Sequence, residues 1–146
     1  MDFDTRLGAY AVIVDEQNRV LLALWNEAAE PSWTLPGGGV ELVESAPEGA
    51  VRELLEETGY EVELIRLLGI DTEVVAVEDR FDPHLLPLKN VRVVYEARVI
   101  GGRLAAEIGG TTDEARWIPL TDVAGLRRVS LVDAGIALWT DTRETA

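Results

Sequence analysis

The sequence predicts an α/β domain. Three observations carry that prediction: two apolar extended runs joined by a short polar turn, a helix marked at both ends, and a closing amphipathic helix that follows further extended segments. Leu7 to Val14 reads as a buried strand, Asp15 to Asn18 as a turn and Arg19 to Trp25 as a second strand, so the opening is expected to be a hairpin. Asn26 to Ser32 is then a loop. Trp33-Thr34-Leu35 is a short extended piece stopped by Pro36 and by Gly37, Gly38 and Gly39, where a ligand or another segment can approach the backbone closely. Ser45 to Glu48 has the form of a capping box, Pro47 stands in the first turn and Gly59 stops the helix, which places it over residues 46–58. Tyr60, just past the stop, is expected to touch Leu55. Extended segments from Tyr60 to Val77, a long loop from Glu78 to Asn90 and a strand from Val91 to Ile100 follow, ending at the Gly101-Gly102 turn. Ala115 to Leu120 reads as a short strand, Thr121 to Leu126 as a helical turn, and Leu131 to Trp139 as the closing helix.

The 146 residues, 47% of them apolar, suffice for one domain with a core, expected over residues 1–140 with 141–146 as a frayed tail. No apolar run reaches the roughly 18 residues of a membrane helix, and Met1-Asp2-Phe3-Asp4 lacks a basic leader, so the expected location is the cytoplasm. Without cysteine there is no disulfide framework and no thiolate metal site, which leaves oxygen ligands or the single His84. Thirteen basic against 27 acidic side chains give a net charge of −14, which opposes binding to nucleic acid or to an anionic membrane. A small phosphorylated ligand stays compatible where carboxylates cluster around a divalent cation.

Such a cluster lies on the helix. At about 100° per residue, with Glu53 at zero, Glu56 falls near 300° and Glu57 near 40°, so three carboxylates share about a third of the circumference. Leu54, Thr58, Val51 and Leu55 fall opposite and are expected to pack on the sheet. The acidic side carries the small residues Ala46, Gly49 and Ala50, and a mid-helix glycine costs about 1 kcal/mol relative to alanine. The surface is therefore read as kept low for a covering segment, the Gly37-Gly38-Gly39 loop being the candidate. Like charges at this spacing repel, and a hard cation relieves that repulsion; Mg²⁺ suits carboxylates, water and substrate phosphates together. Arg52 is placed to reach Glu48 or Glu56 and to orient a carboxylate.

Gly38, five residues, Glu44, seven residues, then Arg52-Glu53-Leu54-Leu55-Glu56-Glu57-Thr58-Gly59-Tyr60 resembles the Nudix box, the signature of the MutT-like Nudix hydrolases. Seven such fixed residue types arise by chance in a chain of this length on the order of once in ten million. Trp33-Thr34-Leu35-Pro36-Gly37-Gly38, Glu41 and Ala115-Arg116-Trp117 are also family-like. The resemblance implies an α/β/α sandwich around a mixed β-sheet, and hydrolysis of a nucleoside diphosphate linked to another group. It also implies that Glu53, Glu56 and Glu57 ligate Mg²⁺ (or Mn²⁺), helped by a carbonyl of the Gly37-Gly38 loop such as that of Gly38, with Glu44 and Arg52 in support. Tyr60 stands where an aliphatic residue is usual and Val43 where glycine is common, departures expected to alter packing only. Leu24-Trp25-Asn26-Glu27 lacks an arginine that many relatives carry there, so no phosphate clamp is assigned to that loop.

Hydrolysis of a pyrophosphate link needs relief of phosphate charge and a positioned water that loses its proton. Glu56 or Glu53 leads as the base, with Glu96, Glu107 and Glu114 behind them. Gly37, Gly38, Gly39, Glu41, Arg80 and Lys89 are the candidate substrate contacts, and Trp25, Phe81 or Tyr95 can stack on a base, although such aromatics more often serve packing. Trp33 reads as a plug beneath the glycine loop and His84 as an exposed loop residue. Two other readings compete. A nucleotide sensor that keeps the box is disfavoured by the three intact glutamates and by a length that leaves no room for an effector domain, and prenyl diphosphate isomerisation by the lack of cysteine. The acid balance disfavours long or capped RNA, so the partner expected is a small nucleotide diphosphate, chosen by loops 26–32 and 78–90. A homodimer is left open.

Overall fold

The computed structural model describes residues 1–26, 29–82, 84–105 and 112–144. Its elements in order are β1 (Asp4–Val12), β2 (Arg19–Trp25), β3 (Ser32–Thr34), β4 (Gly37–Gly39), α1 (Ala46–Thr58) and β5 (Tyr60–Val75). After these come β6 (Leu88–Gly102), β7 (Thr112–Pro119) and α2 (Ser130–Glu144), with short 3₁₀ helices at Val77–Asp79 and Leu120–Gly125.

Every residue of β1 from Ala9 to Val12 is buried, so this strand needs a neighbour on each edge and a layer on each face. It lies inside a mixed sheet of order β4-β1-β6-β5, parallel to β6 and antiparallel to β4. The expected hairpin therefore survives only at its tip, where Val14 bridges Val20. Because β4 and β6 take both edges of β1, β2 turns away into a three-stranded sheet of order β3-β2-β7. Alternation then sorts the core into two. Tyr10, Val12, Val20, Leu22 and Val94 face Leu131 and Val132 of α2, while Ala11, Ile13, Leu21, Val62 and Ala97 face Leu54 of α1. One helix on each face makes the α/β/α sandwich.

α1 starts and stops where its capping signals place it: Ser45 and Glu48 exchange both capping-box bonds, and the Gly59 N–H donates to the Leu55 carbonyl at 2.9 Å. Its buried side is rotated from the expected one. Ala50, Leu54, Glu57 and Thr58 are buried, while Val51 and Leu55 are exposed, because α1 leans toward β4 and turns part of its acidic side inward. Tyr60 packs on the α1-side core and accepts a hydrogen bond from Trp117 Nε1 at 3.0 Å, so its unusual ring is matched by a tryptophan partner. Val43 is fully solvent-facing and touches no core.

Other boundaries shift for identifiable reasons. β5 is one strand to Val75 and β6 begins at Leu88, so Lys89 and Asn90 belong to a strand and the expected loop is shorter. Their pairing with β1 and β5 extends the ladder past the apolar run that marks Val91 to Ile100. β7 begins at Thr112, earlier than Ala115. α2 continues beyond Trp139 to Glu144, so Asp141 to Glu144 are helical; Arg143 in the last turn pairs with buried Glu96 and stacks 4.2 Å over the Trp139 ring. Residues 145 and 146 lie outside the described residues. Among the described residues no helix is long and apolar enough to cross a membrane.

At Gly59 φ is +80° and an added Cβ would stand 2.2 Å from the Arg103 carbonyl oxygen. Gly59→Ala is expected to cost more than about 1 kcal/mol through backbone strain and overlap. Urea unfolding reads the effect as a lower midpoint; an unaltered midpoint would contradict this account of the helix stop.

Candidate active site

The acidic side of α1 is organised by one guanidinium. Arg52 grips Glu44 with two bonds, Nε to Oε2 at 2.8 Å and Nη2 to Oε1 at 2.7 Å. Nη2 also donates to the Gly39 carbonyl at 3.0 Å, and Nη1 to Glu53 Oε1 at 3.0 Å and Glu56 Oε2 at 3.2 Å. Of the two neighbours expected for Arg52, Glu56 is reached and Glu48 is occupied by its cap. Glu41 stays exposed, 3.8 Å from Arg52 Nε, and its backbone N–H donates to Glu44 at 2.9 Å. The Arg52 bonds, then the Glu41 N–H, hold the Glu44 carboxyl down at about 2. Arg52 is raised above its ordinary value chiefly by the same bond to Glu44.

The three glycines form a short edge strand in place of a free loop, pairing Gly37, Gly38 and Gly39 with Tyr10, Ala9 and Gly8. Gly37 has φ +144°, and an added Cβ would be 2.2 Å from the Ala9 carbonyl oxygen. Its N–H donates to Glu57 Oε1 at 3.0 Å, and Glu57 is only 5% exposed. At Gly38 a Cβ would fall 2.7 Å from Glu53 Cδ, so glycine lets the strand lie against that carboxylate without displacing it. The low surface is covered in two parts: β4 lies over Glu53, while Val40 and Glu44 close over Gly49, where a Cβ would meet Glu44 Oε1 at 2.9 Å.

Beside β4 opens a cleft of about 790 Å³. Alternation sets its floor: Arg6 and Tyr10 of β1 share a face with Leu88, Asn90 and Arg92 of β6 and with Glu73 of β5. Gly37, Gly38, Gly39, Glu53 and Glu57 form one end, Trp25, Thr34, Val129 and Leu131 a wall, and Asp79, Arg80 and Phe81 the lip. Arg80 lines the cleft but is bonded to Asp4 at 2.7 Å and to the Leu86 carbonyl at 2.6 Å. Glu44, Arg52 and Glu56 stand behind the lining, tied to it through Glu53 and Gly39.

Other sequence-selected residues lie elsewhere. Lys89 has the opposite parity on β6 and sits 6.0 Å from the Phe3 ring; Tyr95 shares that parity. Glu96 is paired with Arg143 and Arg66, Glu114 with Arg116, and His84 is exposed. Glu107 is outside the described residues. Trp33 rims the α2-side core with Arg116 over its ring, rather than plugging the glycine strand. Arg6, Tyr10, Asn90 and Arg92 were not singled out from the sequence, although the alternation Leu88, Asn90, Arg92 within an extended run carries the signal.

Among the described residues no three acidic or histidine side chains are gathered as a cage, because Glu53 and Glu56 both turn to Arg52 Nη1. The donor set nevertheless fits a hard divalent cation: three carboxylates on successive turns, a buried Glu57, and a cradle at Gly38 that a Cβ would fill. The cation already seated between Glu53 and Glu56 is the guanidinium itself.

The lowered Glu44 carboxyl has a pH signature. Its ordinary value is 4.5 and the fold holds it at about 2, so its stabilising share is complete above pH 4.5 and disappears as pH falls through about 2. The unfolding midpoint is expected to drop more steeply across that window in the parent chain than in Glu44→Gln. Thermal unfolding followed at several pH values checks this, and parallel curves would refute it.

Residues 4–139 match the NUDIX domain family model. The chain is 35% identical over 117 residues to an ADP-ribose pyrophosphatase of Methanocaldococcus jannaschii, covering 78% of this chain and 62% of that protein. It is 32% identical over 137 residues to an RNA pyrophosphohydrolase of Teredinibacter turnerae, covering 80% and 75%. Against other curated relatives the match spans about two fifths of their length, 41% and 44%. A NUDIX hydrolase structure from Nitrosomonas europaea superposes with a TM-score of 0.79 at 20% identity, over 95% of this chain and 90% of that one. The capped acidic helix, the glycine strand laid against it and the matched length agree: this chain belongs to the NUDIX domain family.

Proposed function

We propose that this chain is a Mg²⁺-dependent pyrophosphohydrolase acting on a small nucleoside diphosphate derivative, with Mn²⁺ able to replace Mg²⁺. The observation that carries this reading is the juxtaposition at one end of the cleft, where Glu53 and the buried Glu57 meet the Gly37–Gly39 backbone. Glu53, Glu56, Glu57 and the Gly38 carbonyl would hold the cation. When bound, it neutralises phosphate charge and acidifies water.

The chain's own groups do the rest. Glu44 and Arg52 brace the acidic side against the Gly39 carbonyl, which keeps the carboxylates aimed at the cleft. Glu53 lines the cleft and Glu56 does not, which favours Glu53 as proton acceptor. Water attacks one phosphorus of the anhydride, its proton passes to that carboxylate, and the bond from phosphorus to the bridging oxygen breaks, releasing the other phosphate. Arg6 on the cleft floor supplies positive charge near Gly39. Trp25 and Phe81 offer aromatic surface for a nucleobase. The net charge of −14 favours a small nucleotide over a long RNA strand.

Phosphate release across a nucleotide panel tests the reading: turnover is expected to require Mg²⁺ or Mn²⁺. Glu57→Gln is expected to lower it at least about 100-fold while folding persists, because the amide oxygen can still accept the Gly37 N–H. Metal-independent turnover, or full activity in Glu57→Gln, would overturn the assignment.

A further inference from the structure

The cleft floor holds one polar atom that the mechanism leaves unused. Among the described residues, Asn90 Oδ1 is buried and has no hydrogen-bond partner. Its neighbours explain why. Arg92, two residues along the same face, is bonded to Asp71 through Nε at 3.1 Å and stands 3.6 Å from Glu73, so its donors point away toward β5. Arg6, directly across in β1, donates to the Tyr10 hydroxyl at 3.1 Å. A buried amide oxygen is costly unless water, an ion or a ligand completes it, and this one borders a cleft large enough for a ligand.

Its position adds a second constraint. β4 and β6 flank β1, so at ordinary strand spacing Asn90 lies about 10 Å across the floor from the glycine strand. Arg6 stands between them, beside Gly39 at one edge and paired with Asn90 at the other. Phosphates held at the Glu53 end and passing Arg6 would therefore carry their nucleoside to Asn90, beneath the 97% exposed Phe81 of the lip.

We infer that Asn90 selects the nucleoside: its Oδ1 accepts a hydrogen bond from an N–H or O–H donor of the substrate, so that a nucleotide lacking that donor is rejected. This rests on the pyrophosphohydrolase reading for the direction in which the substrate lies. The donor is an exocyclic base amine or a ribose hydroxyl, and the two are separable.

The test measures equilibrium binding and kcat/KM with paired nucleotides: ADP against its analogue lacking the 6-amino group, GDP against IDP, and ADP against 2′-deoxy-ADP. The parent chain is expected to prefer the donor-bearing member of at least one pair about tenfold, which is about 1.4 kcal/mol. Asn90→Leu should erase that preference, and Asn90→Asp, which keeps the acceptor, should retain it. Unfolding of Asn90→Leu supplies a readout independent of turnover: removing the unpaired group should leave the midpoint equal or higher, the pattern of a residue kept for function at the expense of stability. Discrimination that survives in Asn90→Leu, no discrimination in the parent chain, or a large loss of stability in Asn90→Leu would each overturn the inference. Failure of the pyrophosphohydrolase reading is distinguishable, since it abolishes turnover across the whole nucleotide panel in the parent chain while the binding preference within these pairs is still measured.

Discussion

The site depends on the grip of Arg52 on Glu44. That bidentate pair ties the Val40–Glu44 segment to α1, and the same guanidinium reaches the Gly39 carbonyl, Glu53 and Glu56. Without a fixed cation there, four glutamates within one short stretch would repel one another and splay toward water. With it, the acidic side of a helix can be pressed against a strand. Planar geometry matters: an ammonium offers no fork to hold two carboxylate oxygens while donating to a carbonyl beyond them.

Two glycines translate that grip into a usable surface. Gly38 permits contact with Glu53, and Gly37 takes a backbone shape that points its N–H at Glu57. Glu57 is thereby buried without being stranded, which is the condition for keeping a carboxylate inside a fold. The site thus combines a rigid rear, built of the Arg52 network, with a front of oxygens bordering a large cleft. The cleft opens on the α2-side face of that sheet, between the glycine strand and the start of α2, where Val129 and Leu131 form its wall.

Local signals proved sufficient where a feature closes within a few residues. The bounds of α1 follow from Ser45, Glu48 and Gly59, whose bonds are all made inside or beside the helix. The box spacing likewise set Arg52, Glu53 and Glu56 on one side of the helix, because a helix repeat converts spacing into direction. Local signals failed where distant strands compete. The β1–β2 hairpin was broken by β4 and β6, which arrive from elsewhere in the chain. Val51 and Leu55 are apolar yet exposed, since the helix is rotated by contacts with β4 that no periodicity within the helix can express.

From the sequence alone come the family, the capped acidic helix and its cluster of carboxylates, all of which are properties of short-range order and residue type. Only the tertiary structure decided which charges face the cleft. Arg6 and Asn90 are 84 positions apart in numbering, and they become neighbours solely through the parallel register of β1 on β6. Strand pairing is non-local: the partner of a residue is chosen by the whole sheet, and a shift of one position turns every side chain to the opposite face.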